Sequence, residues 1–236
     1  MGLSLKVGQA VPPVLFFFAL SAAAQDLHSL RSPDGNLEFR LFVSESPSTL
    51  PRIGYQLLYK GNLLLDTSYL GFDIEYQEPI LGEKAGLMNY SQAPGTLTAH
   101  YMQDGSLGRL IDIEAKIWKD GVAFRYVIPK STPLIEIQVL SELTEFALPI
   151  KIPEPLPQPF TAELPGGAWI AIGEQGTAGS YPPMALTRKQ DEPKVLITHF
   201  PKLWESTTPL TTPWRVIGVG PSRQAALDNR RIKGEY

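Results

Sequence analysis

Hydrophobic and polar residues alternate along much of the chain between residues 37 and 219, which is the period of half-buried β-strands. The clearest example spans residues 111–129, where two alternating runs flank Asp120 and Gly121. This dipeptide favours a two-residue hairpin turn whose positive φ angles suit a twisted ribbon. The pattern therefore predicts an antiparallel hairpin with one apolar face.

The position of the turn predicts the register of this hairpin. Ile117 should face Phe124, so that the apolar side forms a continuous stripe. On the polar side Lys116 should face Arg125, an unfavourable like-charge pair unless a carboxylate such as Glu114 lies between them. One polar face and one apolar face predict a sheet that packs against a second layer.

Weaker patterns predict the remaining elements. Alternating or apolar runs indicate strands at residues 37–43, 53–65 (a hairpin turning at residues 60–62), 71–76, 135–139, 168–172, 194–200 and 214–219. Residues 77–107 and the proline-rich stretch 149–165 are interrupted too often for an assignment as core strands, and residues 221–236 predict an irregular polar tail. No window of three or more turns has helical apolar spacing. The fold class is therefore all-β, with one domain over residues 25–220.

Composition and charge narrow the function. The 236 residues carry 21 basic and 24 acidic side chains, a net charge of −3, and the basic residues are scattered. Nucleic acid is therefore an unsuitable partner, because its recognition needs a concentrated basic surface. The chain has no cysteine, so no disulfide supports the fold.

The N-terminus resembles a secretory signal. Lys6 precedes an apolar segment at residues 11–23, and the alanines at positions 22–24 form a small-residue cleavage site. We expect residues 1–24 to be removed and the mature protein to be exported, to the periplasm or the extracellular space, without a membrane span. The alternative is a retained membrane anchor, for which the apolar run is short.

The motifs that could carry chemistry are sparse. Glycines at 173, 176 and 179 resemble a phosphate loop, but a Tyr-Pro-Pro run follows where a helix N-terminus should stand. The three histidines, His28, His100 and His199, lie far apart in ordinary surroundings. No hydrolase elbow, zinc-binding or nucleotide-binding motif is present.

Two kinds of candidate site residue remain. Trp118, which the predicted register places on the polar face, and Tyr181 could stack on sugar rings, although aromatic residues of a sandwich are more often part of its core. Glu174 follows the strand at 168–172 at the head of a glycine-rich loop, a position that suits a hard-cation ligand or a substrate contact. The alternative for Glu174 is a solvated loop carboxylate.

Taken as a whole, the sequence resembles the N-terminal domain of glycoside hydrolase family 97. Four segments in the family's order carry the resemblance, SPDGN at 32–36, DGVAFRY at 120–126, AWIAIGEQGTAGSYPPMAL at 168–186 and PWRVIGV at 213–219. The resemblance implies a large antiparallel super-sandwich of the galactose-mutarotase type. It also implies exported enzymes that cleave α-linked glucosides or galactosides, in which the sandwich packs on a catalytic (β/α)₈ barrel.

In such enzymes the sandwich lends a glutamate to a calcium ion in the active site, and Glu174 matches that motif position. Calcium is expected only in the context of an intact enzyme. Two departures stand out, Pro183 where the family usually has glycine, and an end at Tyr236 where the family continues into the barrel. Because the acid and base of a glycosidase would lie in the barrel, we expect a truncated or split member that is inactive alone. The alternative is a stand-alone exported carbohydrate-binding module, with an α-linked oligosaccharide as ligand.

Overall fold

The structure is a computed structural model that describes residues 27–46, 49–103, 108–130, 134–176 and 179–231, so the expected signal peptide lies outside the described residues. Eighteen strands and one helix are formed by the described residues. They are β1 (His28–Arg31), β2 (Leu37–Ser46), β3 (Thr49–Tyr59), β4 (Asn62–Tyr69), β5 (Phe72–Ile74), β6 (Leu81–Ala93), β7 (Thr96–Gln103), β8 (Leu110–Trp118), β9 (Gly121–Ile128), β10 (Glu136–Glu142), β11 (Glu145–Ala147), β12 (Thr161–Glu163), β13 (Trp169–Gln175), β14 (Ala185–Arg188), β15 (Val195–His199), β16 (Trp204–Thr207), β17 (Leu210–Thr211), β18 (Trp214–Gly220) and α1 (Arg223–Asn229).

The strands build two large antiparallel layers. The first layer contains β1, β2 and β3 and, through the start of β6, the neighbours β5, β10 and β16. The second layer runs from the later part of β6 through β7, β8, β9, β18 and β13 to β12. Strand β4 pairs with β3 in the first layer and, at Asp66, with β11, which continues through β15 to β14 as a smaller antiparallel sheet. Strand β6 thus passes from one layer to the other.

Aromatic side chains from both layers meet in the core. Phe39 and Tyr55 of the first layer lie with ring centroids 5.9 and 5.0 Å from that of Phe124 in the second layer. Phe72 packs edge-on against Tyr126 at 4.8 Å. All five residues are fully buried, so the inward positions of both sheets share one apolar interior. The predicted all-β sandwich is confirmed.

The central hairpin exists, but its predicted register is wrong. Trp118 pairs with Gly121, which places Lys119 and Asp120 in the turn, one position earlier than expected. Each predicted cross-strand pair is therefore displaced by two residues on one strand, although the inward-facing set is unchanged. The shift also removes the like-charge pair, because Arg125 now lies opposite Glu114 and donates to its carboxylate at 2.7 Å.

Gly121 is needed for packing and not for the turn. A β-carbon there would lie 2.6 Å from the indole ring of Trp118 and 2.8 Å from the carbonyl oxygen of Ile217. The glycine at position 121, from which a hairpin tip was predicted, therefore allows Trp118 and the backbone of Ile217 to approach closely. The hairpin between β3 and β4 behaves as expected, because Lys60 and Gly61 both have positive φ angles, 50° and 80°.

Residues 77–107, left unassigned from sequence, supply the long hairpin of β6 and β7. Its tip includes Gly95, whose φ is 74°. Beyond Ala85 most of β6 is exposed, so the strand lacks the apolar alternation that would identify it. The buried guanidinium of Arg109 donates to the carbonyl oxygens of Gln77 and Pro79, at 2.9 and 2.6 Å, and ties the preceding loop to this hairpin.

The C-terminal segment is not wholly irregular, because α1 forms within the predicted tail. Ser222 caps the helix by accepting the amide of Ala225 at 3.2 Å. The helix lies directly on the backbone of β18 and β13, where Gly173, Gly218 and Gly220 present no side chain. A helix of two turns has too few apolar positions for a periodic signal, and its fit depends in part on Gly173, which lies far earlier in the chain.

We predict that Gly218→Ala destabilises the domain by about 1–3 kcal/mol, because the new methyl group would overlap the carbonyl oxygen of Ala226 and lie 2.6 Å from the amide of Arg230. Urea unfolding followed by tryptophan fluorescence measures the change. Gly86→Ala is the matched control, since a β-carbon at that position would meet nothing within 4 Å and a change below about 0.5 kcal/mol is expected. Equal effects in both variants would contradict close packing of α1.

Candidate functional site

Trp118 does not have the exposed position that its strand face suggested. Its side chain is buried at 1% exposure in a small cluster with Ala123, Val216 and Trp214 on the outer side of the second layer. The indole lies over Gly121, whose missing side chain makes room for it. The prediction that Trp118 is exposed is wrong, because these apolar neighbours cover it on a strand face that otherwise carries polar residues.

Tyr181 is also buried, at 8% exposure. Its ring packs edge-on against Phe200 and Trp204, with centroids 5.4 and 4.9 Å away, and its hydroxyl donates to Glu142. In this conformation neither Tyr181 nor Trp118 offers an open ring face to a sugar. The sugar-contact role predicted for the two residues has no support from their positions.

Glu174 lies near the end of β13, directly opposite Arg215 of β18. Both side chains point to the interior, because they alternate with outward positions of strands whose other inward residues, such as Ile172 and Ile217, are buried. One carboxylate oxygen of Glu174, Oε2, accepts from Arg215 and from the amide of Met184 at 3.2 Å. Its side chain is 23% exposed, so Glu174 stands at the rim of the sandwich.

Behind Glu174 lies a buried ion pair between Arg215 and Glu142. Nε of Arg215 donates to Oε1 of Glu142 at 2.7 Å, and Nη2 donates to Oε2. The hydroxyl of Thr144 donates to Oε1 at 2.6 Å and in turn meets the hydroxyl of Tyr126 at 2.5 Å. This fork-to-fork geometry fixes both charged groups in place.

A β-bulge turns Glu142 toward the interior. In β10, Ile137 and Val139 face the core, so strict alternation would place position 142 on the outer side. The pairing with β5 shifts between Val139 and Ser141, and this extra residue reverses the alternation. Glu142 then pairs with the buried Phe72 and points inward, as bulges commonly re-aim a side chain beside a functional site.

The electrostatics of the cluster keep its charges fixed. Burial acts to raise the pKa of Glu142, but the charge and hydrogen bonds of Arg215, with Thr144 and Tyr181, lower it below its usual value. Burial acts to lower the pKa of Arg215, but the Glu142 carboxylate outweighs this effect and raises that pKa above its usual value. Burial and the same carboxylate raise the pKa of Tyr181. An ionised carboxylate without solvent access cannot serve as a general acid, so this cluster positions and does not transfer protons.

The described residues offer only a partial metal site. No group of three or more histidine, aspartate or glutamate side chains arranged to hold a metal occurs among them. Arg215 and Met184 occupy Oε2 of Glu174, so the residue can offer Oε1, one ligand of the six to eight that calcium takes. A groove of about 510 Å³ at this rim is lined by both acidic and basic side chains, including Asp228 and Arg230. The residues therefore fit one calcium ligand, not a complete calcium site.

Comparison with known proteins identifies the family. The family described as Glycosyl-hydrolase 97 N-terminal matches residues 30–154 and 150–231. The chain belongs to this family. No curated protein sequence matches the chain. Within the described residues, no helix is long and apolar enough to span a membrane.

Solved structures share the sandwich of this glycoside hydrolase 97 N-terminal domain. A family 97 enzyme from Pseudoalteromonas sp. strain K8, in complex with acarbose, is 23% identical with a TM-score of 0.70, over 83% of this chain and 36% of that one. A family 97 enzyme from the same strain that carries a glutamate-to-glutamine substitution, in complex with panose, gives 22% identity over the same shares, again with a TM-score of 0.70. A beta-arabinopyranosidase gives 17% identity and 0.66, over 82% of this chain and 40% of that one. The chain thus spans little more than a third of these relatives.

The sequence identified Glu174 but missed Arg215 and Glu142. Arg215 alternates with Ile217 and Val219, so a charged residue shares the strand face of two core residues. An inward cation of this kind needs a buried carboxylate partner, and that requirement was the available signal. The partner itself was hidden by the bulge in β10.

We predict that Glu142→Gln destabilises the domain by about 3 kcal/mol at neutral pH, because the buried Arg215 loses its principal counter-charge. Since folding lowers the pKa of Glu142, the wild-type contribution is complete above the unfolded value and is lost as pH falls through the folded pKa. The difference between the proteins should therefore shrink on acidification. Urea unfolding at a series of pH values measures it.

Glu163→Gln, at an exposed position of β12, is the control and should match the wild type at each pH. If Glu142→Gln does not fold, the double variant with Arg215→Met should recover stability by removing the unpaired cation. A constant difference between wild type and Glu142→Gln from neutral to acid pH would contradict the ionised state of this buried pair.

Proposed function

We propose that this domain is the accessory sandwich of an exported glycoside hydrolase, of the α-glucosidase or α-galactosidase type. In this role it packs on a catalytic (β/α)₈ barrel and presents Glu174 to a calcium ion held mainly by that barrel. Family membership supports the proposal, as does the share of about a third that the chain covers in the solved family 97 enzyme. The expected signal at residues 1–24 supports export.

The observation that carries the proposal is the geometry of Glu174. Its Oε2 is held from behind by Arg215, and Arg215 is neutralised by Glu142. The three groups together carry one negative charge, which is concentrated at the exposed rim. A carboxylate held in this way can give an oxygen to a cation whose other ligands come from another body of protein. Bound calcium would supply positive charge that polarises an oxygen of substrate or water.

At the rim of Glu174, the described residues do not offer the accessible carboxylate pair that glycoside hydrolysis requires. One group must give a proton to the leaving oxygen while the other acts on the opposite side of the sugar. Glu142 and Glu174 both bind the same guanidinium, and Glu142 is inaccessible to substrate. We therefore infer that bond cleavage depends on residues of the barrel, on a longer form of this polypeptide or on a separate one.

The purified chain should not hydrolyse p-nitrophenyl α-glucoside or α-galactoside above the no-protein rate, with or without calcium. Release of p-nitrophenolate measures this. A longer polypeptide should hydrolyse one of the two substrates if it also contains the barrel, encoded by DNA downstream of the codon for residue 236 in the same or another frame. Robust turnover by the chain alone would refute the division of labour.

In such a longer product, Glu174→Gln should raise the calcium concentration for half-maximal reactivation, after chelation, by about tenfold or more, because a neutral amide replaces the carboxylate ligand. Calcium titrations of activity measure the shift. Glu163→Gln, also in the sandwich, is the control for any general effect of losing a carboxylate. An unchanged calcium requirement would exclude Glu174 as a ligand.

A further inference from the structure

The outer side of three neighbouring strands forms a groove that the proposed function does not use. Strand β10 pairs with β16 on one edge and with β5 on the other. Because Ile137 and Val139 point into the core, Glu136 and Gln138 point outward. Glu205 lies directly opposite Gln138 on β16 and is exposed as well. A row of polar side chains therefore covers this part of the first layer.

A tight turn after β5 forms one side of the groove. The amide of Glu75 donates to the carbonyl oxygen of Gln138 at 2.8 Å, which ties the turn to β10. The amide of Gln77 then donates back to Ile74 at 3.1 Å. Between them Tyr76 has a φ of 59° and a side chain that is 90% exposed. The ring thus projects into solvent from an anchored backbone.

This arrangement of Tyr76 gains nothing from packing. A positive φ is unfavourable for a bulky residue other than glycine, and such strain commonly marks functional sites. An exposed aromatic ring also leaves apolar surface in water. Glycine or asparagine would suit the turn better, so the backbone conformation and the exposed ring together point to a ligand that contacts the ring.

The groove has a volume of about 700 Å³, within the range of small-molecule sites. Besides Tyr76 it is lined by two amides, Gln77 and Gln138, and three carboxylates, Glu75, Glu136 and Glu205. None of the described residues that line it is basic. The charge disfavours phosphates, uronic acids and other anions. Amides and carboxylates suit hydroxyl groups, because both accept their protons and amides also donate.

We propose that this groove binds a neutral oligosaccharide, with the ring of Tyr76 stacked on the apolar face of one sugar and with Gln77, Gln138 and the carboxylates bonded to its hydroxyl groups. The choice of a sugar over a basic peptide rests on the proposed function. The groove shares no lining residue with the groove at Glu174, so the role assigned to it is to hold a glycan chain at a distance from the calcium ligand.

The test is titration of the ¹⁵N-labelled chain with maltopentaose and, separately, stachyose, followed by NMR of the glutamine side-chain amides. The side-chain signals of Gln77 and Gln138 should shift in a saturable manner with a dissociation constant of about 1 mM or lower for one sugar. Tyr76→Ala should weaken this binding at least about tenfold, through loss of the stacking surface. Trigalacturonic acid, an anionic analogue, should not bind.

Tyr90→Ala is the matched control, because Tyr90 is another exposed tyrosine, at 50%, on β6 and outside the groove. It should bind as the wild type does. Absence of saturable shifts at about 10 mM of both sugars, equal binding by Tyr76→Ala, or shifts produced only by a lysine-rich peptide would each overturn the proposal. Glu174→Gln should leave the sugar titration unchanged, so failure of the calcium proposal and failure of this one are distinguishable.

Discussion

The ion pair of Glu142 and Arg215 is the constraint on which the site depends, because it joins the two layers of the sandwich. Glu142 belongs to β10 in the first layer, and Arg215 belongs to β18 in the second. A buried pair of this kind contributes little more stability than apolar residues of the same size, since desolvation offsets most of the attraction. Its contribution is geometric. Both hydrogen-bonding edges of the carboxylate are occupied, so the guanidinium has one orientation.

That orientation determines what Glu174 presents at the rim. The third nitrogen of Arg215, Nη1, holds Oε2 of Glu174, and the amide of Met184 holds the same oxygen. An unneutralised guanidinium there would repel any cation. Because Glu142 compensates the charge of Arg215, the cluster of the three residues keeps a net negative charge, which lies at Glu174. The buried pair thus makes a carboxylate next to an arginine compatible with a cation on its open side.

The positions of many strands were readable from the sequence, whereas the exact use of each glycine was not. Alternation identified most strands, and Lys60 with Gly61 gave the correct hairpin because their positive φ angles are a local requirement. Gly121 and Gly218 serve close packing against Trp118 and α1, contacts between residues distant along the chain or in different elements. Local sequence cannot distinguish these two uses, so the register of the hairpin of β8 and β9 was mispredicted and α1 was missed. The same cause explains Trp118, whose burial depends on Val216 of another strand.

Only part of the candidate site could be predicted from the sequence. Glu174 was found because a strand end and a glycine-rich loop are local features, and Arg215 could have been found as a charge on a core-facing strand position. Glu142 could not, because the bulge between Val139 and Ser141 reverses the alternation that a sequence pattern assumes. The same bulge leaves Gln138 facing outward toward the groove beside Tyr76 while Glu142 faces inward. The inserted residue therefore places Gln138 and Glu142, which strict alternation would put on one face, on opposite faces of the sheet, so that a ligand on the outer face would leave the buried ion pair and the rim undisturbed.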